Sequence, residues 1–238
     1  MAPGDVTRSA SRTFELLGAI TEQGGLTLGD AAKAAGLATS TALRLIRSME
    51  QSEFLVRGDD NVYRAGPRLL QIGARAISDN QLLSRARPAM VAIAEETRES
   101  TYLSTHGPKG TALYLAQIEG THAIRHMGWV GQTVPLVGTA VGAALRGDLQ
   151  SEGYAIAHDT LEDHSTGVAA PIYDAVGRIV GALSVIGPTF RLDDALCAQH
   201  GLVLVERCRA LSAELGSPTA ERCPVGGSVE PSTQHAPQ

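Results

Sequence analysis

The chain has 238 residues, enough for one large domain or two small ones, and its 43% apolar and 19% charged residues with a mean hydropathy of −0.01 exclude a disordered chain, a fibrous repeat and a bilayer-embedded protein. The net charge of −5 is unevenly spread: residues 1–76 carry nine basic groups against eight acidic, and the remainder eleven against seventeen. That split predicts a weakly basic N-terminal module joined to an acidic body.

In chain order, Phe14, Leu16, Leu17 and Ile20 recur mostly at three- and four-residue spacing and predict a helix over 11–20, stopped by Gly24 and Gly25. Thr27 caps a second helix over 28–35, with Asp30 as an acidic form of the capping box and Gly36 as its stop. After a three-residue turn, Ala42, Leu45, Ile46 and Met49 mark one face of a third helix, 39–52. Residues 54–57 (FLVR) and 62–64 (VYR) favour strands, and the GDDN between them predicts a hairpin. Three helices followed by a hairpin make a winged helix-turn-helix. Pro67 opens a linking helix over 68–78, and a further helical pattern covers 82–98, broken near Pro88.

Beyond residue 100 the texture changes to short apolar runs punctuated by glycine. These predict strands at 101–104, 112–118, 123–127, 168–172 and 178–185, the last two joined as a hairpin through YDAVG. Helices at 139–145 and 193–215 pack on the resulting antiparallel sheet, so the class is α+β. From Gly216 onward the chain is rich in Gly, Pro and Ser, which predicts disorder. Three cysteines (Cys197, Cys208, Cys223) without C-x-x-C spacing argue against a disulfide scaffold or zinc ribbon. No apolar run approaches the length of a membrane helix, and the first ten residues carry no secretory signal, so a cytoplasmic protein is expected.

A helix-turn-helix needs small residues where its helices cross, a glycine in the turn, and a second helix whose start faces the major groove. Counting from Leu28, Ala32 is the small fifth residue and Gly36 the ninth, while Ala31, Ala35, Leu37, Ala42 and Leu45 point inward. Thr39, Ser40, Thr41, Leu43, Arg44 and Arg47 then point outward. Of these, Thr39, Ser40, Thr41, Arg44 and Arg47 are the candidate DNA contacts: hydroxyls donate to phosphates or bases, and the arginine fork holds two acceptors on guanine. Arg57 and Arg64 flank the wing tip, where Asp59 and Asp60 repel phosphate, and Arg8 and Arg12 lie near the N-terminus.

Residues 7 to about 215 resemble an IclR-type (isocitrate lyase regulator family) transcriptional regulator. ATSTALR at 38–44 is similar to its recognition helix, YRAGPRLL at 63–70 to its wing and linker, VPLVGTAVG at 134–142 to its effector loop, and GVAAPI at 167–172 with LSVIGP at 183–188 to its C-terminal strands. The resemblance implies a winged-helix DNA-binding domain at 1–66, a linker helix at 67–81, an α/β effector-binding domain at 82–216 and a disordered tail at 217–238. It also implies a small organic or aromatic acid as effector, a homodimer or tetramer as the assembly, and operator DNA as the partner. Departures from the family pattern are Ala143 where a lysine usually follows the loop glycine, a short 146–152 connection, Thr160 beside Asp159 where the family has paired acids, and His164 at its usual glycine.

Free N–H groups at a helix start can hold a small carboxylate, and GTAV at 138–141 fits that need with Thr139, Ala140 and Val141. By resemblance, His126, Asp159, Pro171 and Ser184 complete the effector site. Trp129 either packs a ligand or fills a core or interface position. Five histidines (His106, His122, His126, His158, His164) invite a metal, but their spacing on strands argues against one, so neither metal nor cofactor is expected. No nucleophile elbow, phosphate loop, dinucleotide fingerprint or H-E-x-x-H is present, so an enzyme is not expected. Two alternatives stay open: a winged-helix interaction protein that does not bind DNA, and a small-molecule enzyme with an appended helical domain.

Overall fold

The computed structural model describes residues 7–160 and 162–218, so most of the expected disordered tail lies outside the described residues. The chain divides into two compact units that meet between residues 80 and 81.

In the first unit, α1 (Arg8–Glu22), α2 (Leu28–Ala34) and α3 (Thr39–Gln51) pack around one apolar cluster. The cluster forms because Leu16 and Ile20, Ala31 and Ala32, and Ala42, Leu45, Ile46 and Met49 each fall on one face of their helix. Thr27 caps α2 by accepting from Asp30 N–H, and its hydroxyl donates to the Asp30 carboxylate at 2.6 Å. Gly36 takes φ +62° in the turn, and the next amide, Leu37 N–H, bonds back to Ala32 C=O. The wing is a hairpin of β2 (Leu55–Arg57) and β3 (Val62–Ala65). A two-residue strand that sequence alone did not suggest, β1 (Leu26–Thr27), pairs with β3 and gives the order β1-β3-β2. Pro67 occupies the first turn of α4 (Pro67–Ser78), none of whose side chains is buried.

The second unit is a six-stranded antiparallel sheet in the order β6-β5-β4-β9-β8-β7. One meander is β4 (Ser100–His106), β5 (Thr111–Ile118) and β6 (Thr133–Pro135). The other is β7 (Ala155–His158), β8 (Ser165–Tyr173) and β9 (Ile179–Pro188), and the two join through β4 and β9. Alternation along the strands splits the apolar side chains between two faces. Leu103, Leu183 and Ala170 face α5 (Gln81–Thr97) and α7 (Asp194–Glu214), while Tyr102, Ala182 and Ala169 face α6 (Ala140–Arg146).

Three expectations change. Helix α5 runs unbroken through Pro88: burial of Ala86, Met90, Ile93 and Ala94 against the sheet offsets the missing amide, whose loss costs about 3 kcal/mol in an exposed helix. Residues 123–127 are not a strand. Their carbonyls are taken by side chains instead, Ile124 C=O by Arg191 and His126 C=O by Ser100 and Gln117, so no ladder forms. The short strands β6 and β7 were not expected, each adding an edge too brief to show a period of its own. The contracted connection after α6 is closed by Gly147 in the left-handed region and by Tyr154, whose ring lies against Gly201 of α7.

Candidate functional site

Two places in the molecule gather the residues that the sequence singled out. In the first unit, α3 buries its apolar face and turns Thr39, Ser40, Arg44 and Arg47 to solvent, with Thr41 half-buried. Its cap is Ala38, whose side chain supplies no acceptor; the Ala38 C=O takes the Thr41 and Ala42 N–H groups, and the Thr39 and Ser40 amides at the helix start lie outside the helix's own ladder. Exposed hydroxyls, two guanidinium groups and the positive end of a helix dipole therefore share one edge. The wing tip differs: Arg64 pairs with Asp60 at 2.5 Å, Arg57 donates to Asn61 at 2.6 Å, and Arg57 also stacks over Tyr63. Arg64 holds the Asp60 carboxyl down at about 2 and is itself neutralised, so the tip presents little net positive charge.

In the second unit a cleft lies between α6 and the sheet face it covers. It is lined by His126, Trp129, Thr139, Ala140, Val141 and Ser184 together with Tyr114, Ala157, Thr160, Ser165, Gly167 and Ile186. Its cavity is about 20 Å³, room for a single water. Thr139 accepts from Gly142 N–H at 3.0 Å and donates to Pro135 C=O at 2.8 Å, which fixes the loop before α6. Gly142 is required here, because a Cβ would run into the Leu136 backbone. Neither Ala140 N–H nor Val141 N–H belongs to the helix's own ladder.

Ser184 is 2% exposed and its hydroxyl meets no hydrogen-bond partner among the described residues, an arrangement that costs on the order of 1–3 kcal/mol. On the neighbouring strand the Tyr102 hydroxyl lies 2.6 Å from His126 Nδ1, and His126 Nε2 lies 3.6 Å from Glu162. Edge-to-face contacts chain Tyr102, Tyr114, Trp129 and His126 into one aromatic wall. Burial pushes the His126 imidazole below its ordinary value, against the opposing pull of Glu162, and raises the phenols of Tyr102 and Tyr114.

Two of the expected effector residues lie off this lining. Asp159 is exposed, with a left-handed backbone, and its carboxylate accepts from Thr189 at 2.8 Å. Pro171 shares the sheet face of Gly167 but stands four residues further along β8, opposite Ala182. Sequence reasoning missed Tyr102, Tyr114 and Glu162. The signal for the tyrosines was their period-two placement on β4 and β5, whereas nothing local marks Glu162. Among the described residues no group of three His, Cys, Asp or Glu side chains is arranged to hold a metal ion, and no helix is long and apolar enough to cross a membrane.

Comparison with known proteins connects the two places. The model of the IclR helix-turn-helix domain matches residues 9–59, and that of the bacterial transcriptional regulator IclR C-terminal domain matches 74–150. The HTH-type transcriptional regulator XynR of Escherichia coli is 25% identical over 90% of this chain and 99% of its own. An IclR transcriptional regulator from Alicyclobacillus acidocaldarius superposes with a TM-score of 0.75 at 20% identity, covering 88% of this chain and 99% of the other. An IclR homologue from Microbacterium hydrocarbonoxydans, solved in complex with 4-hydroxybenzoate, superposes at 0.70 with 21% identity over 87% and 98% of the two chains.

Proposed function

The chain belongs to the IclR family of DNA-binding transcriptional regulators, and on that premise we propose that a small organic or aromatic acid, bound in the cleft beside Ser184, sets its affinity for operator DNA. Its relatives are regulators of transcription and not enzymes. The observation that carries the ligand reading is the Ser184 hydroxyl: it is buried without a partner and faces an aromatic-walled cleft, where a ligand oxygen would relieve its cost. The 4-hydroxybenzoate held by the Microbacterium homologue supports an acid of that size.

A cavity of 20 Å³ cannot admit a ring as it stands. Entry therefore requires the 119–132 loop, which brings His126 and Trp129 to the cleft, to yield; Gly128 and Gly131, both at positive φ with open space around them, are where it bends. A ligand that prefers the yielded state shifts the balance between states by its difference in affinity for the two. In the DNA-bound assembly, a homodimer or a pair of dimers working in the cytoplasm, Thr39, Ser40, Thr41, Arg44 and Arg47 approach the major groove. Asp159 and Pro171, which lie off the lining, act by shaping the loop and the strand beside the cleft.

A thermal-shift series with benzoate, 4-hydroxybenzoate and short aliphatic acids tests the reading. At 100 times its dissociation constant a true effector stabilises the chain by about 2.7 kcal/mol. Ser184→Ala should lower that affinity while leaving the unliganded chain as stable or more so. Equal melting with and without every acid would overturn the proposal.

A further inference from the structure

The cleft presents donors but no fixed cation. Among its lining residues there is no lysine or arginine; the side chains with polar atoms are Tyr114, His126, Thr139, Thr160, Ser165 and Ser184, together with the indole N–H of Trp129. A carboxylate moved from water into such a place loses its hydration and meets only neutral dipoles, and a group in that position takes up a proton or recruits one nearby.

His126 is placed to receive it. Its side chain is 8% exposed, and its ring is wedged edge-on between Tyr102 and Trp129. The groups facing it are the Tyr102 hydroxyl from β4 and Glu162 from the loop between β7 and β8, while Tyr114 from β5 lines the same cleft with its ring against Tyr102 and Trp129. From its own loop comes the Arg125–Glu119 pair, closed at 2.9 Å and neutral as a unit, while Asp159 is turned to Thr189. From α6 and β9 it faces only uncharged residues, Ala140, Val141 and Ser184.

The Tyr102 contact serves both protonation states. With a neutral ring the phenol donates to Nδ1, which leaves the ring proton on Nε2; with an imidazolium Nδ1–H donates and the phenol oxygen accepts. The 2.6 Å separation needs no rearrangement for either. Burial keeps the empty site neutral, and Glu162 is the carboxylate that eases protonation once a second negative charge arrives.

We infer that the cleft takes its acid as a carboxylate together with one proton from solvent, the proton resting on His126, with His126 and Ser184 as donors to the ligand. The inference rests on the effector reading above and adds the ionic state in which the ligand is held. It follows that acids bind more tightly as the medium becomes more acidic, whereas uncharged alcohols of the same shape bind independently of pH.

Calorimetric titration of the full chain with benzoate, 4-hydroxybenzoate and benzyl alcohol, near pH 7.5 in two buffers of unlike ionisation enthalpy, counts the protons exchanged. The expected result is uptake of about one proton per acid bound and about none with benzyl alcohol. In His126→Gln the uptake should vanish and the acids should weaken by at least about tenfold, with benzyl alcohol changed by less than about threefold. Binding of the acids without proton uptake overturns this inference and leaves the effector reading intact. Uptake that persists in His126→Gln places the proton on the ligand or Glu162 and overturns the assignment to His126. If neither acid binds, the same titration is made with the short aliphatic acids, and binding by none of them brings down the effector reading and this inference with it.

Discussion

Ser184 and His200 are both buried with polar atoms that meet no partner, yet they sit on opposite sides of the sheet and respond to different conditions. Ser184 lines the cleft proposed to take the acid. His200, on α7, has its imidazole pushed below the ordinary value by burial, with Glu99 and Glu96 pulling the other way. A histidine depressed in the folded state binds fewer protons there than in the unfolded chain, so its stabilisation is present above about pH 6.5 and is lost as pH falls toward the folded value. Denaturant unfolding between pH 7.5 and 5.5 should therefore show declining stability, with a shallower decline in His200→Gln; an unchanged slope would remove His200 from the account. In the first unit, Arg44 is exposed on α3. Arg44→Ala should cost roughly 1–3 kcal/mol in operator discrimination while unfolding as the parent does. Both buried cysteine thiols are pushed up, Cys197 to about 11 and Cys208 to about 12, so neither offers a thiolate near neutral pH.

Between residue and molecule stands the 119–132 loop, which brings His126 and Trp129 to the cleft. Its anchor is Arg191, which grips the buried Glu99 carboxylate at 2.5 and 2.9 Å and donates to Ile124 C=O at 3.0 Å. Removing the guanidinium leaves the Glu99 carboxyl, 1% exposed, without its two Arg191 donors, so Arg191→Ala should destabilise by about 3–5 kcal/mol. The double variant Glu99→Gln, Arg191→Gln should recover much of that loss in a mutant cycle; no recovery would mean the pair is not the anchor. A second junction is Gly201, where a Cβ would stand 2.6 Å from the Tyr154 ring. Gly201→Ala should lower stability by roughly 1–3 kcal/mol through overpacking, and by less in a Tyr154→Ala background. These elements also mark what sequence could show. α2 and α3 were legible because capping, the turn glycine and the inward alanines are local signals. The loop was misread as a strand because its fold depends on Arg191 and Ser100, distant in sequence, and Pro88 misled because burial outweighed its local cost.

At the scale of the whole molecule, the charge split predicts a weakly basic head, but the first unit extends to residue 80 and takes in Asp79, so it carries nine basic against nine acidic groups and is neutral, while the second unit, with eleven against sixteen, is acidic. A chain with net charge −5 binds DNA through a local patch and not through its overall field, and the proposed reader of base sequence is the outward edge of α3. The cleft was only partly legible: Thr139, Ala140 and Val141 announced themselves as a loop entering a helix, whereas Tyr102, Tyr114 and Glu162 reach it only through sheet register and loop closure. The account depends most on the outward edge of α3 reading base pairs, and selection of duplexes from a random pool by the full chain at physiological salt tests it most directly. Enrichment of an inverted repeat, with half-sites about one helical turn or a multiple of it apart, is the predicted outcome. A pool that stays random after repeated rounds, with every duplex bound alike, would contradict it.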